Sequence, residues 1–341
     1  MINTDILVIG AGPVGLFTVF EAGLMKLRCH IIDALPQIGG QLSEIYPKKP
    51  IYDIPGFPNI LAGDLINNLI NQIKPFHPGY TLGDRAETLI KKENRFIIST
   101  KSGVLHTAPV VIIAGGLGSF EPRKPQIKNI NYFEGKGVEY IIKDPKKFKN
   151  KKILISGGGD SALDWAIFFV KNYAKSVTLI HRSDKFRAHK DSLDQIKKLE
   201  ILKKIKLITY AEVVELNNDN NYNSYLKFVT IKHINDNKYE NLIVDYWLPI
   251  FGFTPKLGPI MNWNLKIDKN AIIVNNALDY QTNIKGLFAV GDINTYPGKL
   301  KLILCGFHEA TLAIQSAYKI IYPDKKINMK YTTINGIEEL K

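Results

Sequence analysis

Asp5–Gly15 reads DILVIGAGPVG, and the chain runs on through a helix-like segment to Arg28–Asp33, RCHIID. The apolar run after Asp5 predicts a short buried strand that ends at Gly10. Pro13–Met25 predicts a helix with its proline in the first turn, where a missing N–H costs little. Arg28–Asp33 predicts a second strand, so the opening is a βαβ unit with a parallel sheet and a right-handed crossover. Gly10-Ala11-Gly12-Pro13-Val14-Gly15 fits G-x-G-x-x-G at the strand–helix junction. In that pattern Gly10 permits the tight turn, Gly12 lets the backbone approach a pyrophosphate, and Gly15 lets helix and strand pack closely. Asp33 stands at the end of the second strand, where an acid can take both hydroxyls of a ribose.

The theme starts again further on. Lys152–Gly157 (KILISG) predicts a strand, Asp160–Lys171 a helix and Ser176–His181 (SVTLIH) a strand. Between the first two lies Gly157-Gly158-Gly159-Asp160-Ser161-Ala162, a G-x-G-x-x-A turn whose glycines, Ser161 and Ala162 form the second candidate site. The following strand ends in His181-Arg182, with no acid, and Arg187 comes soon after. The chain has six arginines, and two of them sit in this one segment. A cation there suits a ribose bearing a 2′-phosphate, which arginine grips bidentately. One acid-ended and one cation-ended turn on a single chain point to two different nucleotides.

The rest of the chain fits around these two units. Pro36–Pro58 is rich in Gly and Pro, a long irregular stretch of the kind that carries function. Helices are expected at Leu65–Ile73, Leu193–Lys203 and Leu302–Ile321, and strands at Phe96–Thr100, Val110–Ala114, Leu226–His233, Ile243–Leu248 and Leu287–Gly291. A strand and helix after the second βαβ unit make the first domain discontinuous. The expected fold class is α/β, with two doubly wound nucleotide-binding domains, residues 1–114 plus 286–341 and an inserted 120–281. The length of 341 residues and 45% hydrophobic content suffice for two cores.

Composition narrows the function. Net charge is +13, carried mostly by lysine. No dense basic run interleaved with aromatics marks a nucleic-acid surface, and Lys143–Lys152, the densest basic stretch, reads as a solvated linker. No apolar run approaches the roughly 18 residues of a spanning helix, and no basic leader precedes the first strand, so a cytoplasmic protein without a membrane segment is expected. His30 reads as a strand core or edge residue, and His77, His106, His189, His233 and His308 are scattered. Neither a metal cluster nor a nucleophile motif appears. Cys29 and Cys305 read as separate thiols, and no C-x-x-C pair exists.

Taken together, the chain resembles the thioredoxin-reductase family of pyridine-nucleotide flavoproteins. The match is carried by Gly10–Gly15, Gly39-Gly40-Gln41, Gly157–Ala162 with His181–Ala188, and Thr282–Asp292 (TNIKGLFAVGD). It departs at the redox disulfide, because Gly137–Asp144 (GVEYIIKD) stands where that family has C-x-x-C. The branch it looks like is the thioredoxin-reductase-like, type 2 ferredoxin–NADP reductases, through Glu44–Pro47, Tyr52–Pro55 and Gly159–Ala166. The resemblance implies FAD in the discontinuous domain, with contacts at Asp33, Gln41, Tyr46, Ala86, Phe120, Asp292 and Thr333, and NADPH/NADP+ in the inserted one. It further implies Tyr46 and Tyr331 stacked on the flavin, although a tyrosine in a polar tail reads equally as a surface anchor. No catalytic side chain is required, since the flavin takes a hydride and releases single electrons to ferredoxin or flavodoxin. The family expectation is a homodimer. Ser183 replaces an arginine of the usual pattern, which weakens the preference for NADPH over NADH. Two rivals stay open: a reductase with another acceptor, such as a quinone or oxygen, and a non-catalytic nucleotide sensor. A flavin monooxygenase lacks its linker motif here, and a disulfide reductase lacks its cysteines.

Overall fold

The computed structural model describes residues 1–118, 121–218, 225–254, 256–275 and 278–325. The chain forms two compact units, Met1–Phe120 with Pro255–Lys341, and Glu121–Thr254. Among the described residues no helix is long and apolar enough to cross a membrane.

The first unit is built on a five-stranded sheet in the order Leu287–Ala289, Val110–Ile113, Ile6–Ile9, Cys29–Asp33, Gly79–Leu82, and every neighbouring pair is parallel. Ile6–Ile9 and Val110–Ile113 are buried at every position, as strands covered on both faces must be, so each reads as an unbroken apolar run. The Pro13–Leu24 helix follows the first strand, with Gly12 as its N-cap residue. Helix Ala62–Ile73 buries Leu65, Ile66, Leu69 and Ile73, which share one helical face. Helix Ile303–Ile321 buries Gly306, Glu309, Ala310, Ala313, Ile314 and Ala317 at the same spacing. A four-stranded sheet of Ile2–Asn3, Leu105–Ala108, Arg95–Thr100 and Ala86–Lys92 and a small three-stranded sheet of Ile267–Asp268, Ala271–Ile273 and Asn294–Thr295 belong to the same unit. Within Pro36–Pro58 lie a one-turn helix, Gln41–Glu44, and the strand Pro50–Ile51, which pairs with Ile60–Leu61.

The second unit repeats the parallel theme in the order Lys206–Thr209, Ser176–His181, Lys152–Ser156, Tyr246–Pro249. An antiparallel sheet of Ala211–Asn217, Phe228–His233 and Tyr239–Ile243 accompanies it. Trp247 is 1% exposed, and its indole N–H donates to Ser156 Oγ at 2.8 Å, which satisfies the one polar atom the ring brings into the core.

Two expectations need correction. The inserted domain ends at Thr254 rather than at 281. Leu257, Ile260, Trp263, Ile272, Val274 and Tyr280 bury in the core of the first unit, and the Trp263 indole donates to Glu87 O at 3.0 Å. The strand expected at Ile243–Leu248 is two strands with different partners. Asp245 divides them, bonding Lys152 through its N–H (to Lys152 O, 2.9 Å) and its carboxylate (from Lys152 N, 2.7 Å).

Candidate functional site

In the first unit the glycine turn is shaped by what each residue must avoid. Gly10 has φ +114°, and a methyl there would lie 2.4 Å from Ala114 O. A methyl on Gly15 would lie 2.0 Å from Gly10 O, so helix and strand meet backbone to backbone. Around Gly12 a methyl would meet nothing within 4 Å. Packing therefore accounts for Gly10 and Gly15. The open space at Gly12, at the N-terminus of a helix, is room for an anionic group.

Asp33 braces this turn. Its carboxylate accepts from Ala11 N at 2.6 Å and Leu35 N at 2.8 Å. Burial pushes its pKa up, opposed by those two N–H groups. A carboxylate accepts about four hydrogen bonds, so two sites remain for ribose hydroxyls. The Gly39-Gly40-Gln41 segment closes on the same turn: Gly39 N donates to Ala11 O at 2.9 Å, and a methyl on Gly40 would lie 3.2 Å from Gly12 Cα. A methyl on Gly116 would come 3.4 Å from Gln41 Nε2, which places that amide beside the end of the Val110–Ile113 strand. Burial, and then Asp292, pushes the Tyr46 hydroxyl up, so Tyr46 and Asp292 share one electrostatic neighbourhood. Burial also pushes Asp292 up, against Lys301 and Lys299, with Glu309 adding to the rise. Ala86 is buried at the start of its strand. Phe120, Tyr331 and Thr333 lie outside the described residues.

A residue set that sequence reasoning missed lies next to Asp292. Glu309 is 0% exposed. Its Oε2 accepts from Gly291 N at 2.7 Å and Asn294 Nδ2 at 2.8 Å. Its Oε1 accepts from the Tyr296 hydroxyl at 2.8 Å and from the Lys299 ammonium. Asn294 Nδ2 also donates to Ala289 O at 2.8 Å, while Asn294 Oδ1 is buried without a partner among the described residues. The first turn of the Ile303–Ile321 helix abuts this connection, since a methyl on Gly306 would lie 3.3 Å from Gly291 Cα. The signal in the sequence was a lone acid on the small-residue face Gly306, Ala310, Ala313, Ala317.

The second unit reproduces the pattern independently. A methyl on Gly157 would lie 2.6 Å from Ile250 O and 2.7 Å from Ala162 Cβ, one on Gly158 would strike the His181 ring at 2.3 Å, and Gly159 again faces open space. Arg187 N donates to Gly158 O at 2.7 Å, and His189 N to Asp160 Oδ1 at 2.7 Å, so the Arg182–His189 segment is pinned along the turn. Burial pushes His181 down; the Lys185 carbonyl opposes this, and Arg182 and Arg187 add to it. Both guanidiniums are exposed, and among the described residues neither forms an ion pair. Ser161 is exposed in the first turn of the Asp160–Asn172 helix, and Ala162 is buried beneath it. Ser183 Oγ accepts from Lys185 N at 3.3 Å, a local turn contact.

Cys29 and Cys305 are free thiols, and burial, followed by Asp5, pushes Cys29 far up. Among the described residues no group of His, Cys, Asp and Glu could hold a metal ion.

Two glycine turns of one design, one ending in an acid and the other in cations, define an α/β protein of paired dinucleotide-binding folds. The chain belongs to the pyridine nucleotide-disulphide oxidoreductase family, whose profile matches residues 4–317. It is 61% identical over 340 residues to the ferredoxin–NADP reductase of Flavobacterium johnsoniae, covering 99% of this chain and 95% of that one. Identity is 45% over 334 residues to the ferredoxin–NADP reductase of Bradyrhizobium diazoefficiens, covering 98% and 96%. Among solved structures, Lactococcus lactis thioredoxin reductase superposes with a TM-score of 0.80 at 23% identity, over 94% of this chain and 99% of that one. That likeness shows the two-domain fold.

Proposed function

We propose that this chain is a ferredoxin–NADP reductase that holds FAD in its first unit and NADPH in its second. The observation that carries the reading is near-full-length identity of 61% to a ferredoxin–NADP reductase, on a chain whose two cysteines offer no disulfide relay. Bound FAD supplies the conversion between a two-electron nicotinamide donor and one-electron carriers.

The residues present fit that cofactor. Gly12 leaves room for the pyrophosphate, Asp33 keeps two acceptor sites for the ribose, and Asn294 Oδ1 is a buried acceptor unmatched among the described residues, beside Asp292. Gln41, Tyr46, Ala86 and Asp292 would hold the remainder of FAD, with Phe120, Tyr331 and Thr333 carried on the family pattern alone. In the second unit, Arg182 and Arg187 would clasp the 2′-phosphate. The Gly157–Gly159 turn and the first turn at Ser161 and Ala162 would face the pyrophosphate, and His181 would support the turn from beneath. The partner is ferredoxin or flavodoxin, drawn by the +13 charge. The working form is a cytoplasmic homodimer.

The test is anaerobic titration of the FAD-loaded protein with NADPH and with NADH, followed by cytochrome c reduction with and without ferredoxin. Bleaching by NADPH with ferredoxin-dependent cytochrome reduction is expected. Bleaching without ferredoxin dependence would retain both nucleotide sites and replace the acceptor.

A further inference from the structure

We propose that Glu309, with Lys299 as its counter-charge, is a positioning residue for the flavin: it fastens the Gly291–Lys299 connection to the Ile303–Ile321 helix and so sets where Asp292 meets bound FAD. The inference rests on the reading that the first unit holds FAD.

Saturation is the first argument. Two donors meet each oxygen of Glu309, and these four fill the capacity of a carboxylate. Glu309 therefore has no free lone pair with which to handle substrate protons. All four donors belong to one connection, at positions 291, 294, 296 and 299, and Asp292 lies inside it. Isolation is the second argument. Glu309 is 0% exposed and the Lys299 side chain 6% exposed, so water cannot replace any of these bonds. The Lys299 ammonium also lies 5.3 Å from the centre of the Tyr296 ring, which closes the cluster on itself. Third, a buried ion pair is a poor stabiliser compared with a well-packed apolar pair, and its clearest use is to specify one conformation. An apolar residue at 309 would pack in the small-residue stripe and leave the connection without its common acceptor.

The probe is FAD itself. Release from the FAD-loaded protein is followed by flavin fluorescence after dilution, beside the visible flavin spectrum and the unfolding midpoint of the apoprotein. Glu309→Gln keeps the shape but places an NH2 against two of the donors. We expect FAD release at least tenfold faster and an altered visible spectrum. Glu21→Gln, which removes a different, half-buried carboxylate that bonds Thr311, should leave both unchanged. An unchanged release rate in Glu309→Gln with a lowered unfolding midpoint means a purely structural role and overturns the proposal. Lys299→Met serves where Glu309→Gln does not fold. Losing this donor should likewise speed FAD release, and release at the unmodified rate overturns the proposal equally. Failure of the unmodified chain to take up FAD would instead sink the reading beneath it.

Discussion

His30 makes the first unit acid-labile over a defined range. It lies on the Cys29–Asp33 strand at 7% exposure, with Nε2 2.8 Å from Thr81 Oγ1. The same hydroxyl is 3.0 Å from Nε2 of the fully buried His106, and the two rings are 5.0 Å apart. A methyl on Gly79 would lie 2.3 Å from His30 Nδ1, so the ring packs against the bare glycine backbone of the neighbouring strand. Burial, then the second imidazole, lowers its pKa from 6.5 to about 4. The folded value is below the unfolded one, so between these pH values the unfolded chain takes up a proton that the folded chain refuses. Stability is fully present above pH 6.5, falls as pH drops below it, and stops falling near pH 4. At about 1.4 kcal/mol per unit, the loss from His30 between about pH 7 and about pH 4.5 is about 2 kcal/mol. His106, lowered chiefly by its own burial, adds in the same direction. The assay is urea unfolding of FAD-saturated protein, read by flavin fluorescence, for the unmodified chain and His30→Asn. Titrating groups outside this pair cancel in the comparison, whereas any change in His106 is part of the His30 effect. If both proteins lose the same stability on acidification, within about 0.5 kcal/mol, the account of His30 is wrong.

Three further outcomes follow from the sites. Gly12→Ala should fold with an unchanged unfolding midpoint and bind FAD about tenfold or more weakly, while Gly15→Ala, blocked by Gly10 O, should fail to accumulate as folded protein; equal FAD affinity in Gly12→Ala and the unmodified chain would remove the pyrophosphate from that turn. Arg182→Ala and Arg187→Ala should each raise KM for NADPH by about 10- to 100-fold and leave KM for NADH unmoved, and a parallel rise for both nucleotides would show that neither guanidinium reads the 2′-phosphate. Raising ionic strength should lower kcat/KM for ferredoxin while the rate of reduction by NADPH holds, and a salt-independent ferredoxin rate would dismiss electrostatic steering.

The elements that could be read from sequence are those whose environment is uniform. Ile6–Ile9 and Val110–Ile113 are covered on both faces, so burial at every position shows as an apolar run. The Pro13–Leu24 helix has its proline where the first turn tolerates it. Ile243–Leu248 misleads for the same reason: Val244 is 5% exposed, so the run stays apolar across a change of pairing partner that only Asp245 marks. The return at 255 was not legible, because Leu257, Ile260 and Trp263 carry no local sign of which core they enter. Gly10–Gly15, Asp33, Arg182 and Arg187 could be found because their chemistry lies within one short motif. Glu309 could be seen only as an acid out of place on a helix of small residues, since its four donors belong to a connection that nothing in the helix announces.

The strand order also fixes a timetable for synthesis. Val111 in the first unit pairs with Leu287, and all of Glu121–Thr254 is made between them. The second unit is contiguous, so it has every strand it needs while the first still waits for its outermost one. Until then the apolar Val110–Ile113 strand presents a bare edge to the cell, a surface prone to wrong pairings. Gly306, which packs on Val14 and Gly291, arrives later still. A ribosome that stalls between the insertion and Leu287 thus releases a chain with one finished half and one sticky half, and the nucleotide turn that emerges first is among the last parts to be enclosed.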